Sequence, residues 1–332
     1  MKKNVTLNDI AQKLNVSVGL VSLVLRGKWK ENRISEEMAK KVNKAAKDLG
    51  YKPNAMAQAL RTGKSKIIGL IVADIANPFY GKIARIIENE AYNKGYQVIF
   101  GSSDEDLCKF EKVVEAMKSR QVDGLLVVPV IGSHEVLQAI QESNIPTISI
   151  DRYLTDAKLP YVVTDNYKGS YDIGLYLQQK GYQNIAFITK ESPLSNFIER
   201  NKGFEQSMKD TGINYQKHAL SVDNWNEELV QLIRDMDTSK VDAIYFAQNM
   251  LAVEGLKTVN ALHSDELDKL AIISFDNPEI FEINRPTITC YQQPLQVLAE
   301  KAVQELINSI ESKQSKDISL KIEGKLIIRQ SC

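Results

Sequence analysis

Cysteine, histidine and tryptophan are scarce in this chain: three Cys, three His and two Trp among 332 residues. Cys108, Cys290 and Cys332 lie far apart with no CxxC spacing. A disulfide framework and a zinc site are therefore not expected, and reduced thiols are the simple reading. His134, His218 and His263 also stand singly, without metal-ligand spacing, so neither a metal nor a cofactor is expected. Long apolar runs are missing too. The longest, such as Ile67 to Ala73 and Leu125 to Val130, have the length of a strand, far short of the ~20 residues of a membrane span. The first ten residues, MKKNVTLNDI, contain no apolar stretch of the kind a secretory signal needs. A cytoplasmic protein without membrane contact is the expectation.

Catalytic signatures are equally absent. There is no GxGxxG, GxSxG or HExxH. Gly63-Lys64-Ser65 has the look of a phosphate-loop ending, but Gln58 stands where that motif requires glycine. The acidic run Asp104–Glu105–Asp106 reads as a solvated loop after a strand. An enzyme is not expected.

Net charge is zero, yet it is unevenly placed. Residues 1–66 carry 12 Lys and 3 Arg against 2 Asp and 3 Glu, a net +10, and the remainder balances it at −10. A basic head on an acidic body is the charge footprint of a nucleic-acid-binding module joined to a part that does not bind nucleic acid. A lysine-rich solvated face gives the same count.

The basic segment contains TLNDIAQKLNVSVGLVSLVLR, from Thr6 to Arg26. Thr6 and Asp9 form a weakened capping box, and Leu7, Ile10, Ala11 and Leu14 recur at helical spacing. Ser17 caps a second helix whose expected inner face is Val18, Val21, Val24 and Leu25. Two helices around so short a turn match the helix-turn-helix that sets its second helix in the DNA major groove. On spacing alone, a helical hairpin without a ligand fits as well. After the polar turn GKWKENR, Ser35 caps a third helix, with Met38, Val42, Ala45, Ala46 and Leu49 facing the first two, and Gly50 ends it. Pro53 follows. The seven residues AMAQALR then form a run too short for a free helix, because nucleation costs more than so few hydrogen bonds return.

From Lys66 the pattern alternates between apolar strands and amphipathic helices. Strands are expected at residues 67–73, 97–101, 124–129, 147–150, 161–164, 185–189, 242–247, 271–275, 288–291 and 326–329. Continuous Ile/Val/Leu strands separated by helices argue for parallel sheets covered on both faces. The segment is long for one doubly wound sheet, so two lobes are expected. The fold class read from sequence is an all-α helix-turn-helix head plus an α/β body of two doubly wound lobes. Ligands of such sheets sit beyond the carboxyl ends of the strands and between lobes.

With these residues in view, the chain resembles the lactose-repressor family of bacterial transcription regulators. VTLNDIAQKLNVSVGLVSLVL, ISEEMAKKV, LGYKPNAMAQAL, SKIIGLIVADIANPFY, VDGLLVVP, IPTISIDR, ISFDNPEI and RPTITCYQQP carry the resemblance in order, from one end to the other. It implies a DNA-binding head over residues 1–52, a hinge helix and linker over 53–65, and an effector-binding and dimerisation body over 66–332 similar to periplasmic sugar-binding proteins. Within that body the head-proximal lobe would comprise residues 66–165 and 294–324, and the distal lobe 166–291 and 325–332.

The resemblance also implies site residues. Thr6, Val18, Gly19, Ser22, Leu23 and Arg26 would meet DNA. The usual long polar readers of bases are replaced here by Val18, Gly19 and Leu23, which leaves thymine methyl contacts and close backbone approach. Leu60 would wedge into the minor groove and kink the DNA, with Arg61 following the groove. Around the effector would stand Phe79, Tyr80, Asp151, Arg152, Asn196, Arg200, Trp225, Gln248 and Asp276. Trp225 would stack on a sugar ring. Arg200 and Asp276 would bond to hydroxyls or a carboxylated sugar. That set favours a sugar over a purine, and Gln248-Asn249 replaces the family's usual Asn-Asp pair.

The expected partners are pseudo-palindromic double-stranded operator DNA, a small carbohydrate effector and a second copy of the chain. The chain stops directly after its last expected strand, where a tetramer would need an added heptad helix. A homodimeric repressor is thus the expectation, with inducer and corepressor both open. The competing readings are a sugar-binding protein for uptake, disfavoured by the basic head, and a doubly wound enzyme, disfavoured by the missing motifs.

Overall fold

The computed structural model describes residues 5–51, 63–157, 159–262, 269–312 and 318–332. It divides into two compact units, Met1–Ser65 and Lys66–Cys332. Most of the expected hinge run, with Leu60 and Arg61, lies outside the described residues.

The first unit holds three helices: α1 (Leu7–Leu14), α2 (Val18–Leu25) and α3 (Glu36–Leu49). Each begins where a side-chain oxygen caps it. The Asp9 amide donates to Thr6 Oγ1 at 3.4 Å and the Thr6 amide to Asp9 Oδ2 at 2.7 Å, a complete reciprocal box. Ser17 Oγ accepts from the Leu20 amide and Ser35 Oγ from the Met38 amide, both at 3.2 Å. Asn15 and Gly50 end α1 and α3 in the left-handed region. Ile10, Ala11, Val21, Val24, Ala39, Val42, Ala45 and Ala46 form the core, and Trp29 of the intervening turn packs against it. One expectation is corrected. Val18 is 39% exposed and not part of the inner face, because Val21 and Val24 already fill the contact with α1 and α3.

In the second unit, strands β1–β5 (Ile67–Val72, Gln97–Ser102, Gly124–Val127, Thr147–Ile150, Tyr161–Thr164) and β11 (Ser319–Ile322) form one sheet in the order β11-β5-β4-β3-β1-β2. Strands β6–β10 (Asn184–Lys190, Asn214–Leu220, Ala243–Phe246, Ala271–Phe275, Thr289–Gln292) and β12 (Lys325–Ile327) form the other, in the order β12-β10-β9-β8-β6-β7. All pairings are parallel except β10 with β12. The central strands IIGLIV and GLLV are buried almost throughout, as parallel strands covered by helices on both faces must be.

The helices supply those layers. Against the first sheet, α4 (Pro78–Asn93) and α12 (Leu295–Ser312) pack on one face, and α5 (Leu107–Ser119) and α6 (His134–Glu142) on the other. Against the second, α7 (Asn166–Gln179) and α8 (Ser195–Thr211) cover one face. The opposite face is covered by α9 (Trp225–Arg234), α10 (Asn249–Leu262) and the single turn α11 (Ile280–Ile283). Glycines bring α7 and α8 unusually close: a Cβ on Gly203 would lie 2.1 Å from the Tyr167 carbonyl oxygen. Each sheet with its helices is one lobe.

Two strands absent from the sequence reading are β7 and β11. Both are edge strands with mostly exposed or half-exposed side chains, NYQKHAL and SLKI, so neither shows a continuous apolar run.

The chain passes between the lobes between β5 and α7, between β10 and α12, and between β11 and β12. These crossings are tightly nested. The Gly324 amide donates to Tyr291 Oη at 2.8 Å, and a Cβ at Gly324 would sit 2.3 Å from the Gln292 carbonyl oxygen.

Candidate functional site

A cleft of about 130 Å³ lies between the lobes. Its lining comes from residues that follow the carboxyl ends of parallel strands in both sheets, where a doubly wound fold leaves side chains free to converge. Phe79 and Tyr80 follow β1 at the start of α4. Glu105 follows β2, and Asp151 and Arg152 follow β4. From the other lobe come Lys190 at the end of β6, Asn196 and Arg200 on α8, Gln248 and Asn249 after β8, and Asp276 after β9.

Asp151 and Asp276 are each the first residue after a strand, and each has a positive φ, 66° and 77°. Non-glycine residues in this region carry strain that the surroundings must hold. Here the surroundings do so with hydrogen bonds. Tyr80 Oη donates to Asp151 Oδ2 at 3.0 Å. Gln293 Nε2 donates to Asp276 Oδ1 at 2.5 Å, and Thr164 Oγ1 donates to Gln293 Oε1 at 2.5 Å. The Asn249 amide adds a bond to Asp276 Oδ2 at 3.3 Å. Burial raises the Asp151 carboxyl above its ordinary range, against the pull of Arg152 and Arg200. Burial, and then the nearby Asp151 charge, lift the Tyr80 phenol well above its own.

The two arginines are buried; Arg152 bonds through all three of its nitrogens and Arg200 through two. Arg152 forms a two-pronged pair with Glu105, at 3.0 and 2.5 Å, and donates from Nε to the Pro129 carbonyl at 2.6 Å. Arg200 donates to Asn166 Oδ1 at 2.9 Å and to the Ala247 carbonyl at 2.7 Å. Its guanidinium lies 3.7 Å from the Phe275 ring centre and 4.0 Å from Asp276 Oδ2. The lobes also touch directly: Asn249 Nδ2 donates to Asn77 Oδ1 at 3.0 Å, the same oxygen that caps α4 by accepting from the Phe79 amide.

Of the nine effector-site residues inferred from sequence, Phe79, Tyr80, Asp151, Arg152, Asn196, Arg200, Gln248 and Asp276 line this one cleft. Trp225 does not. It begins α9 and packs against the apolar core of its lobe, and the Lys190 ammonium lies 4.2 Å from its ring centre. The sequence reading lacks Asn77, Glu105, Lys190 and Gln293 as site residues and has Asn249 only as the neighbour of Gln248. The usable signal for them was position alone, since each sits at or within a few residues of a strand's carboxyl end. A second cavity, of about 530 Å³, lies beyond a wall made of Phe79, Asn249, Asp276 and Gln293. Much of its polar lining, Glu279, Glu282, Gln296, Glu323 and Lys325, is exposed, whereas the smaller cleft gathers the buried Asp151, Arg152, Arg200 and Asp276 from both sheets, so the smaller cleft is the candidate site.

On the head, Thr6, Val18, Gly19 and Arg26 are exposed and Ser22 and Leu23 are half-buried. The Thr6 hydroxyl is committed to the capping box, and Arg26 Nε donates to the Ser22 carbonyl at 2.9 Å. Among the described residues no cluster of metal-ligating side chains occurs, and no helix is long and apolar enough to cross a membrane.

The chain matches two family profiles, bacterial regulatory proteins of the lacI family over residues 6–54 and periplasmic binding proteins and sugar binding domain of LacI family over residues 65–330. It is 30% identical to the HTH-type transcriptional regulator RegA of Clostridium saccharobutylicum, covering 98% of each chain. Against the ribose operon repressor of Halalkalibacterium halodurans it is 28% identical, covering 98% of this chain and 96% of the relative. Among solved structures, the Cra transcriptional dual regulator of Pseudomonas putida in complex with fructose 1-phosphate shares the fold. Its TM-score is 0.72 at 22% identity, over 80% of this chain and 99% of that one.

Proposed function

Because the chain belongs to the lacI family of bacterial regulatory proteins, we propose that it is an operator-binding repressor whose DNA affinity is set by a small carbohydrate in the cleft between the lobes. The observation that carries this reading is the convergence, in one cleft, of buried and bonded polar groups from both lobes, with Asp151 and Asp276 held in the same strained conformation. A ligand that bonds to both lobes has a different affinity for different lobe spacings. It changes operator affinity only by that difference.

The head is the DNA-binding part, in the cytoplasm, with two copies of the chain on a pseudo-palindromic site. Val18 and Leu23 offer methyl contacts to thymine, Gly19 permits close backbone approach, and Ser22 and Arg26 serve phosphates, whereas both donors of Thr6 are held by Asp9. Leu60 and Arg61 act in the minor groove at the operator centre. With so few hydrogen-bonding readers on α2, much of the specificity falls to the deformability of the central base step. No catalytic chemistry is part of this reading.

The test is retardation of the gene's own upstream DNA in a mobility-shift assay, with and without a panel of sugars. Absence of retardation at low salt for every fragment overturns the reading. Leu60→Ala is expected to weaken specific binding and to reduce DNA bending, measured by the mobility of circularly permuted fragments. Unchanged bending would remove Leu60 from the groove.

A further inference from the structure

We propose that Lys190 is an anion anchor, so that the carbohydrate taken by the cleft carries a carboxylate or phosphate group. The proposal rests on the effector reading above and narrows it to a ligand class.

Of the three cations that line the cleft, Lys190 alone has no carboxylate within ion-pair distance among the described residues. Arg152 is spent on Glu105, and Asp151 accepts from Tyr80. Asp276 accepts from Gln293 and from the Asn249 amide, with Arg200 beside it. Lys190 lines the same cleft, yet among the described residues it has no hydrogen bond and no ion pair. Its close partner is the neutral Trp225 ring at 4.2 Å. A half-buried ammonium resting on an aromatic face has lost part of its water and received no counter-charge in return.

A second feature at the same end of the cleft points the same way. Helix α8, 17 residues long, starts beside Lys190 with Leu194, Asn196 and Phe197 in the lining. Its N-cap residue, Leu194, makes no side-chain cap bond, its first turn holds no acidic residue, and the Phe197 amide is taken by Asn196 Oδ1 at 3.0 Å. The amino end of a helix favours negative charge, and the Ser195 and Asn196 amides ahead of Phe197 are the donors left for it. The cleft volume, about 130 Å³, is well below the ~300–1,000 Å³ of sites for drug-sized ligands. A single sugar ring with one charged arm fits that scale, and a longer saccharide does not without separation of the lobes.

The environment of Lys190 adds a pH signature. Burial lowers its pKa to about 8, and Glu105 is the charged group that opposes this. The cleft also holds Arg152, Arg200, Asp151 and Asp276. A bound anion favours the ammonium form, so binding above pH 8 takes up a proton. Affinity for an anionic sugar then falls as pH rises through about 8, and affinity for a neutral sugar does not.

The experiment is calorimetric titration and thermal shift of the full chain at pH 7 and pH 9. Its probes are D-gluconate, D-galacturonate, D-glucose 6-phosphate and D-fructose 1-phosphate, each set against its uncharged parent sugar. At least one anionic probe is expected to bind and its parent to bind far more weakly. A winning aldonate or uronate assigns a carboxylate, and a winning sugar phosphate assigns a phosphate. Lys190→Gln is expected to lose about 10–100-fold in affinity for that probe together with the pH dependence, and Lys190→Arg to keep most of the affinity. The unfolding temperatures of both variants without ligand separate this loss from misfolding. A neutral sugar that binds best and is indifferent to Lys190→Gln overturns the anion proposal and leaves the effector reading standing. No binding of any sugar by the folded chain overturns both.

Discussion

Arg200→Ala is expected to abolish the response to effector and to destabilise the body by about 3–5 kcal/mol, the usual cost of stripping a buried charge of its partner. Arg200 is 2% exposed and lines the cleft from α8. Its removal leaves Asn166 Oδ1 and the Ala247 carbonyl without a donor, and leaves the Asp276 carboxylate without a neighbouring cation. Each charged hydrogen bond to a ligand is worth about 1.5–3 kcal/mol, so loss of the fork costs at least tenfold in effector affinity. Arg200→Lys keeps a positive charge near Asp276 but cannot reach Asn166 and Ala247 together, because an ammonium lacks the rigid fork. It is expected to recover part of the stability and little of the response. Denaturant midpoints and sugar-dependent mobility shifts read the two effects separately. A variant with unaltered midpoint and unaltered response would remove Arg200 from both roles.

The second large effect concerns packing. Gly203→Ala is expected to destabilise the distal lobe by about 1–3 kcal/mol or more, as overfilling of a tight contact does. The added methyl meets backbone, the Tyr167 carbonyl oxygen at 2.1 Å, and backbone cannot rotate aside as a side chain can. Helices α7 and α8 would have to separate, and α8 carries Asn196 and Arg200 into the cleft. Loss of stability is therefore expected to come with loss of effector affinity. Gly81→Ala is the internal comparison. It lies in α4 with nothing within 4 Å of the added Cβ, and is expected to raise stability by about 0.5–1 kcal/mol through helix propensity alone. Thermal unfolding of the pair decides the matter. Similar midpoints for both variants would mean that the α7–α8 contact is softer than its geometry implies.

The parts of this fold that could be read from the chain are those whose physics is local. Thr6, Ser17 and Ser35 announce helix starts because a cap needs only a side-chain oxygen and an amide two or three residues on. Strands such as Ile67–Val72 stand out because two covered faces demand an unbroken apolar run. Strand β7 did not stand out, since an edge strand takes its order from a neighbour's hydrogen bonds and keeps polar side chains. Val18 was misplaced for the opposite reason. Nearly every residue of VGLVSLVL is apolar, so composition could not separate the buried face from the exposed one.

The cleft divides in the same way. Asp151, Arg152 and Asp276 could be located because they follow recognisable strands and match the family's pattern. Asn77 and Gln293 take their roles from residues distant in sequence, Asn249 and Asp276 among them, and no local pattern reports such a meeting. Lys190 closes an apolar run and so reads as a strand's polar end. Only the lobe-to-lobe arrangement turns it into part of a site and moves Trp225 behind it.

The two sheets repeat one strand order, each with an aspartate in left-handed conformation directly after the fourth of its strands in chain order. Each lobe thus carries half a site built to the same plan. A ligand held by one half meets the other at an effective concentration fixed by the spacing and angle of the lobes, as the second arm of a chelate does. Two weak grips then combine into one strong grip at a single geometry, and the advantage disappears once the lobes part. Affinity in such a body is a property of lobe spacing more than of any single side chain. Substitutions at the nested crossings around Gly324, remote from the sugar, should therefore retune affinity as effectively as substitutions in the cleft wall.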